Sequence, residues 1–499
     1  MGISLEFGES SHNSLSAMET TMLFKEETTL VIDQIDEESI STDDYLRKEI
    51  EVDQDHDINY RSCSWYKTAG LLLCEYICLA TLSFPWSYSV LGLGLGLIVT
   101  VIVSLICFYT GLIISDYCAV YPHLSDICDI GRHLVGPKWV WHLTAVSFLI
   151  FNLLIQALHV LVGEKYLNTI SDNKTLCSVV FGVVSAIACF IFSLPRTFSH
   201  MSGVAYFASG TMLIAMILAM IFAGIQEHPY RYDEKTPVTW NVWPAEGESY
   251  VNIMSAILNI VFTFAGQITY PSFISQMKRP RDFKKALVVV TILELITYAL
   301  VGSIIYVYVG DAYITAPAFG SLTGKYKKIA YSFAVPTIVF LGSLFGNISS
   351  QFVFQHVFNK ESVHRNSHTI TGWSVWVGLN VVLWVLAFVV AEVIPFFSDL
   401  LGLMSSLFCC FFGFIFWALA YFKLKKLYYF KKTGEETSLY QLFKDGNLVT
   451  KTEFILNAFI FSLGWYILGP GLYATVQSII WSYQKNLYGR PFSCVSNAI

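Results

Sequence analysis

The chain has 499 residues, of which 55% are hydrophobic, 16% aromatic and only 14% charged, with a formal net charge of −6 and a mean hydropathy of +0.55. Those values exclude a soluble enzyme and a nucleic-acid-binding module, and describe an all-α polytopic membrane protein whose solvent is a lipid bilayer. Its eleven cysteines show neither zinc-finger nor CxxC spacing, so no metal site, no cofactor and no disulfide framework is expected; Cys74, Cys107, Cys189 and Cys409 fall inside apolar stretches as small hydrophobes.

Residues 1–65 come first, as an acidic cytosolic tail. Met1 to Arg61 holds sixteen Asp and Glu against four Lys and Arg, a formal −12 that leaves +6 for the rest of the chain. Runs such as IDEESISTDD cannot bury enough apolar surface to fold. The tail has neither a basic start nor a short apolar core, so it is not a secretory signal. Its Ser and Thr residues, Lys25 and Lys48 are where cytosolic regulators would act.

Eleven apolar segments follow, each of about 20 residues or more: 66–90, 92–119, 139–164, 175–194, 200–225, 250–276, 285–309, 329–355, 371–391, 395–422 and 454–483. With the N-terminus in the cytosol, 22 Lys and Arg fall inside and nine outside, as the positive-inside rule requires. The cluster Lys278, Arg279, Arg281, Lys284 and Lys285 and the Lys-rich connection after the tenth segment carry most of that bias. The tail 484–499 is then extracytosolic, as is the glycosylation sequon at Asn173. A second sequon, at Asn347, falls within a span.

Two segments are interrupted. The first contains CEYICLATLSFPWSYSVLG, with Ser83, Phe84 and Pro85 at its middle; the sixth contains NIVFTFAGQITYPSFISQMKRP, broken by Gly266, Gln267 and Pro271. A break inside a bilayer frees backbone groups that hydrocarbon cannot solvate, so it lines a cavity or meets a ligand. The breaks lie five spans apart, and a five-span unit inserted twice is upside down the second time. The predicted fold is therefore a 5+5 arrangement within a domain at 66–483, with inverted repeats at about 66–225 and 250–422 and an eleventh helix at 454–483.

The sixth-span stretch FTFAGQITYPSFISQMKRPRDFKKAL resembles the amino acid/auxin permease family, in which a small residue, Gly, a polar residue, Pro, Met-Lys and Pro recur at this spacing. The first-span break is similar to that family's too. Among its branches the chain most resembles fungal permeases for neutral and aromatic amino acids, which place a Glu at the position of Glu75. The resemblance covers Trp65 to Tyr483. It implies a LeuT-like fold and secondary active transport of neutral, including aromatic, amino acids, coupled to protons in most members and to sodium in some. Two departures matter. Cys78, Leu79 and Ala80 stand where many members have Gly pairs, and Cys74 stands near the Asn that the sodium-coupled branch uses as a ligand. Cys is a poor ligand for a hard cation, which disfavours sodium.

An amino-acid substrate brings a carboxylate and an ammonium to the bilayer midplane, where the spans offer almost no Lys or Arg. Backbone N–H groups around Thr81, Leu82 and Ser83 are expected to meet the carboxylate, and carbonyls near Thr263, Phe264 and Ala265, opened by Gly266 and Gln267, the ammonium. Glu75, about 6 residues before the first break, and Glu294 in the seventh span are the candidates for proton coupling. Phe262, Asn347, Met404 and Phe408 are candidates for a pocket or gate. Asn347, Gln351 and Gln355 recur every four residues, which also fits contact between helices alone. His142, Asn152, Gln156 and His159 lie on the third span, the last two close on one face.

Glu392 and Asp399 are expected in water or at an outer gate. His123 with Asp126 is the one near match to a catalytic pair and reads as structural, so no catalysis is expected. An amino-acid sensor with a transporter fold is the first alternative and a sodium-coupled carrier the second. The plasma membrane is favoured over the vacuolar membrane.

Overall fold

The computed structural model describes residues 48, 51, 60–172, 176–359, 361–393, 397–484 and 491–494. The chain divides into Met1–Val52 and Asp53–Ile499; of the first unit only Lys48 and Glu51, both helical and exposed, are described. The rest of the acidic tail before residue 60 and the sequon at Asn173 lie outside the described residues.

The second unit is helical, and the one β-bridge among its described residues pairs Cys63 with Met277. Helix α1 (Trp65–Tyr76) ends at Ile77, and Cys78 is extended. A 3-10 turn, Leu79–Ser83, then leads into α2 (Phe84–Leu91). Pro85 sits in the first turn of α2, where a missing N–H breaks no hydrogen bond. The interruption therefore lies at 77–83, earlier than the expected Ser83–Pro85, because the proline starts a helix instead of splitting one.

The chain continues through α3 (Leu93–Val120), α4 (Ile127–Val135), α5 (Lys138–Ser171), α6 (Ser178–Phe192) and α7 (Phe198–Ile225). The sixth segment repeats the first one's device. Helix α8 (Tyr250–Phe264) stops at Ala265, and α9 (Tyr270–Ser275) starts with Pro271 in its first turn. Beyond it run α10 (Phe283–Val309), α11 (Gly324–Val357), the short α12 (Val363–Asn366), α13 (Ile370–Val393) and α14 (Phe397–Met404). A π-helical stretch, Ser405–Ile415, joins α14 to α15 (Phe416–Thr433). After α16 (Leu439–Asp445), α17 (Leu448–Tyr466) and α18 (Leu472–Gln484) form the last span around a π-turn that holds Pro470.

Among the described residues nine helices, counting α1 with α2, α14 with α15 and α17 with α18 as single spans, are long and apolar enough to cross a membrane; α6 and α8 are apolar but shorter. Exposed side chains on these helices are themselves apolar and recur at helical spacing, as with Ile98, Ile102 and Leu105 on α3 and Ile292, Ile296 and Leu300 on α10. An apolar outer face is unstable against water and suits hydrocarbon.

Polar side chains turn inward and tie helices together. Asn347 on α11 donates to the carbonyls of Ser193 and Pro195, and Gln276 donates to Gln351 at 3.0 Å, so these two members of the α11 stripe tie it to neighbouring segments. Glu392 and Asp399, expected in water or at an outer gate, are buried, which rules out the first of those places. Asp399 accepts from Ser478 at 2.8 Å, joining α14 to α18. The carboxyls of Glu392 and Glu164 both face Gly182, where an added Cβ would stand 2.9 and 3.4 Å from their oxygens.

The connection between α3 and α5 carries the His123–Asp126 pair. Asp126 caps α4, its carboxylate accepting from the backbone N–H groups of Cys128 at 2.8 Å and Asp129 at 3.0 Å. Burial, with Asp129 nearby, pushes Asp126 up to about 6.

The cysteine expectation is overturned too. Cys177 and Cys494, 317 residues apart, form a disulfide, while the other nine cysteines are buried thiols. Such a pair leaves no local spacing to read.

Candidate functional site

The two interruptions meet at one phenol. Tyr298 on α10 donates to the carbonyl of Tyr76 at 2.6 Å and reaches that of Thr263 at 3.4 Å. These are last-turn carbonyls of α1 and α8, which lose their helical partners where the helices stop. The rings of Phe84, Phe264 and Tyr298 close the same junction, with centroids 4.8 to 6.2 Å apart. Tyr76 and Tyr270, one beside each break, share a hydroxyl–hydroxyl hydrogen bond.

In front of this junction lies a cavity. Its first wall is Glu75, Tyr76, Cys78, Leu79 and Ala80, and its second is Phe262, Thr263, Ala265 and Gly266. Helix α5 faces them with Phe151, Ile155, Leu158, His159 and Val162, while Leu341 and Phe345 of α11 and Phe397 of α14 complete the lining. Apolar walls with a few convergent polar groups are what small-molecule sites offer.

Glu75 brings a carboxyl to that lining. It stands one residue from the end of α1, at the break itself and not a turn and a half before it. The hydroxyl of Thr269, in the sixth-span break, lies 3.1 and 2.9 Å from its two carboxyl oxygens. Gly266 makes room for this contact: a Cβ there would stand 2.5 Å from the Tyr76 hydroxyl and 3.4 Å from Glu75 Oε1.

Of the other sequence-predicted residues, Phe262, Thr263, Ala265 and Gly266 line the cavity. Thr81, Leu82 and Ser83 are fully buried one turn further on, and Cys78 to Ala80 take the lining position. Phe264 packs behind, against Phe84 and Tyr298. Gln267 points to α3, donating to Thr110 at 3.2 Å. Glu294 is buried off the lining, within electrostatic reach of Tyr76, Tyr270 and Tyr298, and its Oε2 has no hydrogen-bond partner. Phe408 packs on Phe151, centroids 5.7 Å apart; Met404 is fully buried, and Asn347 binds the α6–α7 connection.

Sequence reasoning missed Thr269, Tyr298 and the apolar part of the α5 wall, having named only His159 there. Phe151, Ile155, Leu158 and Val162 recur at the helical spacing that would have marked one face. No local pattern marks Tyr298.

These features define a polytopic helical membrane protein with a central cavity where two interrupted helices meet. A cavity of this kind presents backbone ends as well as side chains. The chain belongs to the transmembrane amino acid transporter protein family, whose sequence profile matches residues 61–441. It is similar to the N amino acid transport system protein of Neurospora crassa, 32% identical over 452 residues that cover 90% of this chain and 92% of that protein. Proteins described as transmembrane transporters in Gibberella moniliformis and Fusarium pseudograminearum are each 27% identical over 441 residues, 88% of this chain and 89% of theirs.

Proposed function

We propose that this protein is a secondary active carrier of neutral amino acids, aromatic ones included, working by proton symport and alternating access. The observation that carries the reading is the meeting of the two broken helices across one cavity, with Glu75 bound to Thr269 between them. In this reading the substrate carboxylate lies against backbone N–H groups of the first interruption, at Leu79 and Ala80, with Thr81 to Ser83 shaping the turn behind them. The ammonium lies against carbonyls at Thr263 to Ala265. Aromatic and aliphatic walls supply the side-chain volume, and the absence of Lys and Arg from the described lining disfavours acidic substrates.

Glu75 is the proton-binding group, and Glu294 is a second carboxyl behind the junction. A carboxyl in such surroundings is costly when ionised and marks a proton path. The architecture proposed is LeuT-like, with eleven spans, two inverted five-helix repeats and the N-terminus in the cytosol. The Cys177–Cys494 disulfide supports that orientation, because both cysteines fall on the side assigned to the oxidising compartment. The plasma membrane is the proposed location.

The test is uptake of labelled neutral, aromatic, acidic and basic amino acids into sealed vesicles under an imposed pH gradient, repeated with sodium replaced by potassium. Accumulation of neutral amino acids that needs the pH gradient and ignores sodium is expected. Accumulation that needs sodium contradicts proton coupling, and binding without accumulation contradicts the carrier.

A further inference from the structure

The polar groups of the cavity are not equally free to receive a ligand. The Thr263 hydroxyl donates to the carbonyl of Asn259 at 2.9 Å, and the Tyr76 hydroxyl is engaged with Tyr270. The Glu75 carboxyl is engaged with Thr269. All three belong to the walls formed by the interrupted helices. On the opposite wall, α5 contributes Phe151, Ile155, Leu158 and Val162, which are apolar, and His159, which is not.

His159 is held in one tautomer by its own helix. Its Nδ1 lies 2.8 Å from the carbonyl of Ile155, and a carbonyl can only accept, so Nδ1 carries the hydrogen. The neutral ring then presents the Nε2 lone pair as its remaining polar feature. The ring's base is fixed as well. Gly342, between the lining residues Leu341 and Phe345 of α11, lies where a Cβ would stand 2.9 Å from His159 Cβ and 3.3 Å from Cγ. The imidazole is thus braced from behind by a close helix contact and carries an acceptor on a wall of otherwise apolar side chains.

We propose that His159 determines side-chain specificity, accepting a hydrogen bond at Nε2 from the substrate's side chain and so favouring neutral amino acids that carry an N–H or O–H donor, such as carboxamides, phenols and indoles. The proposal rests on the carrier reading above, in which the two broken helices hold the substrate's carboxylate and ammonium. That arrangement directs the side chain toward α5 and α11, where an apolar wall accepts its bulk and one acceptor sorts donors from non-donors. A neutral acceptor rewards a donor and leaves an aliphatic side chain with an unpaired polar group opposite it.

The experiment is uptake by the full-length protein in proteoliposomes, using pairs of similar size that differ in a side-chain donor: tyrosine against phenylalanine and glutamine against methionine. The wild type is expected to prefer the donor-bearing member of each pair. His159→Leu is expected to lower that preference, read as the uptake ratio of the two members of each pair, about tenfold, and His159→Gln, which keeps an acceptor, to restore most of it. No preference in the wild type, or equal loss of both members of each pair in His159→Leu, overturns the proposal. Failure of the wild type to accumulate any amino acid overturns the carrier reading instead. If His159→Leu does not fold, Gly342→Ala, which crowds the ring while keeping its acceptor, is expected to lower the preference. An unchanged ratio in that variant also overturns the proposal.

Discussion

One hydroxyl proton serves three acceptors beside Glu75. Thr269 Oγ1 lies 3.1 and 2.9 Å from the Glu75 oxygens and 2.8 Å from the carbonyl of Gly266. An ionised Glu75 draws that proton toward itself. A protonated Glu75 can donate to Thr269, whose own proton then turns to the Gly266 carbonyl. The state of the carboxyl is therefore felt at the backbone of the sixth-span break, beside the groups Tyr76, Tyr270 and Glu294 that lie within its electrostatic reach. Under the proposed proton symport, Thr269→Val should reduce pH-driven accumulation by about tenfold while substrate exchange at equal pH stays within about twofold, and Thr269→Ser should behave as wild type. Pumping by Thr269→Val at the wild-type level contradicts this link. Glu75 itself was legible in the sequence as a carboxyl inside a span. Its partner was not, because a threonine is unremarkable until the fold sets it against a carboxyl 194 residues away.

The interrupted helices show the same division between what local sequence reveals and what packing decides. Gly266, Pro271 and Pro85 marked two broken spans, and both breaks are present. Their limits followed a different rule from the one expected, since each proline opens the second half-helix and the unwound residues precede it. That shift moves the first lining from Thr81–Ser83 to Cys78–Ala80. The glycine has a steric role that sequence could not give. With Tyr76 Oη 2.5 Å from the position of a Cβ, Gly266→Ala forces α1 and the α8–α9 break apart, at a cost of about 1 to 3 kcal/mol from overpacking. Reduced uptake is expected from a variant that still reaches the membrane and elutes as a folded monodisperse species in detergent. Normal uptake by that variant means that close contact between the breaks is not needed.

At the scale of the molecule, hydropathy carried the class. Apolar segments stand out because a bilayer leaves no alternative to a helix with its backbone bonds closed internally, and each expected segment contains an apolar helix of the structure. Contacts between distant segments were hidden. The Cys177–Cys494 bond and the burial of Glu392 and Asp399 depend on neighbours that no local pattern names. The central claim is that substrate and proton share the cavity between the broken helices, with Glu75 as the proton's site. It is tested most directly by comparing wild type and Glu75→Gln in proteoliposomes loaded with a neutral substrate, measuring both exchange at equal pH and accumulation under an imposed pH gradient. The account predicts that the wild type does both and that Glu75→Gln exchanges substrate but does not accumulate it. Accumulation by Glu75→Gln at the wild-type level would contradict the account and remove Glu75 from the coupling mechanism.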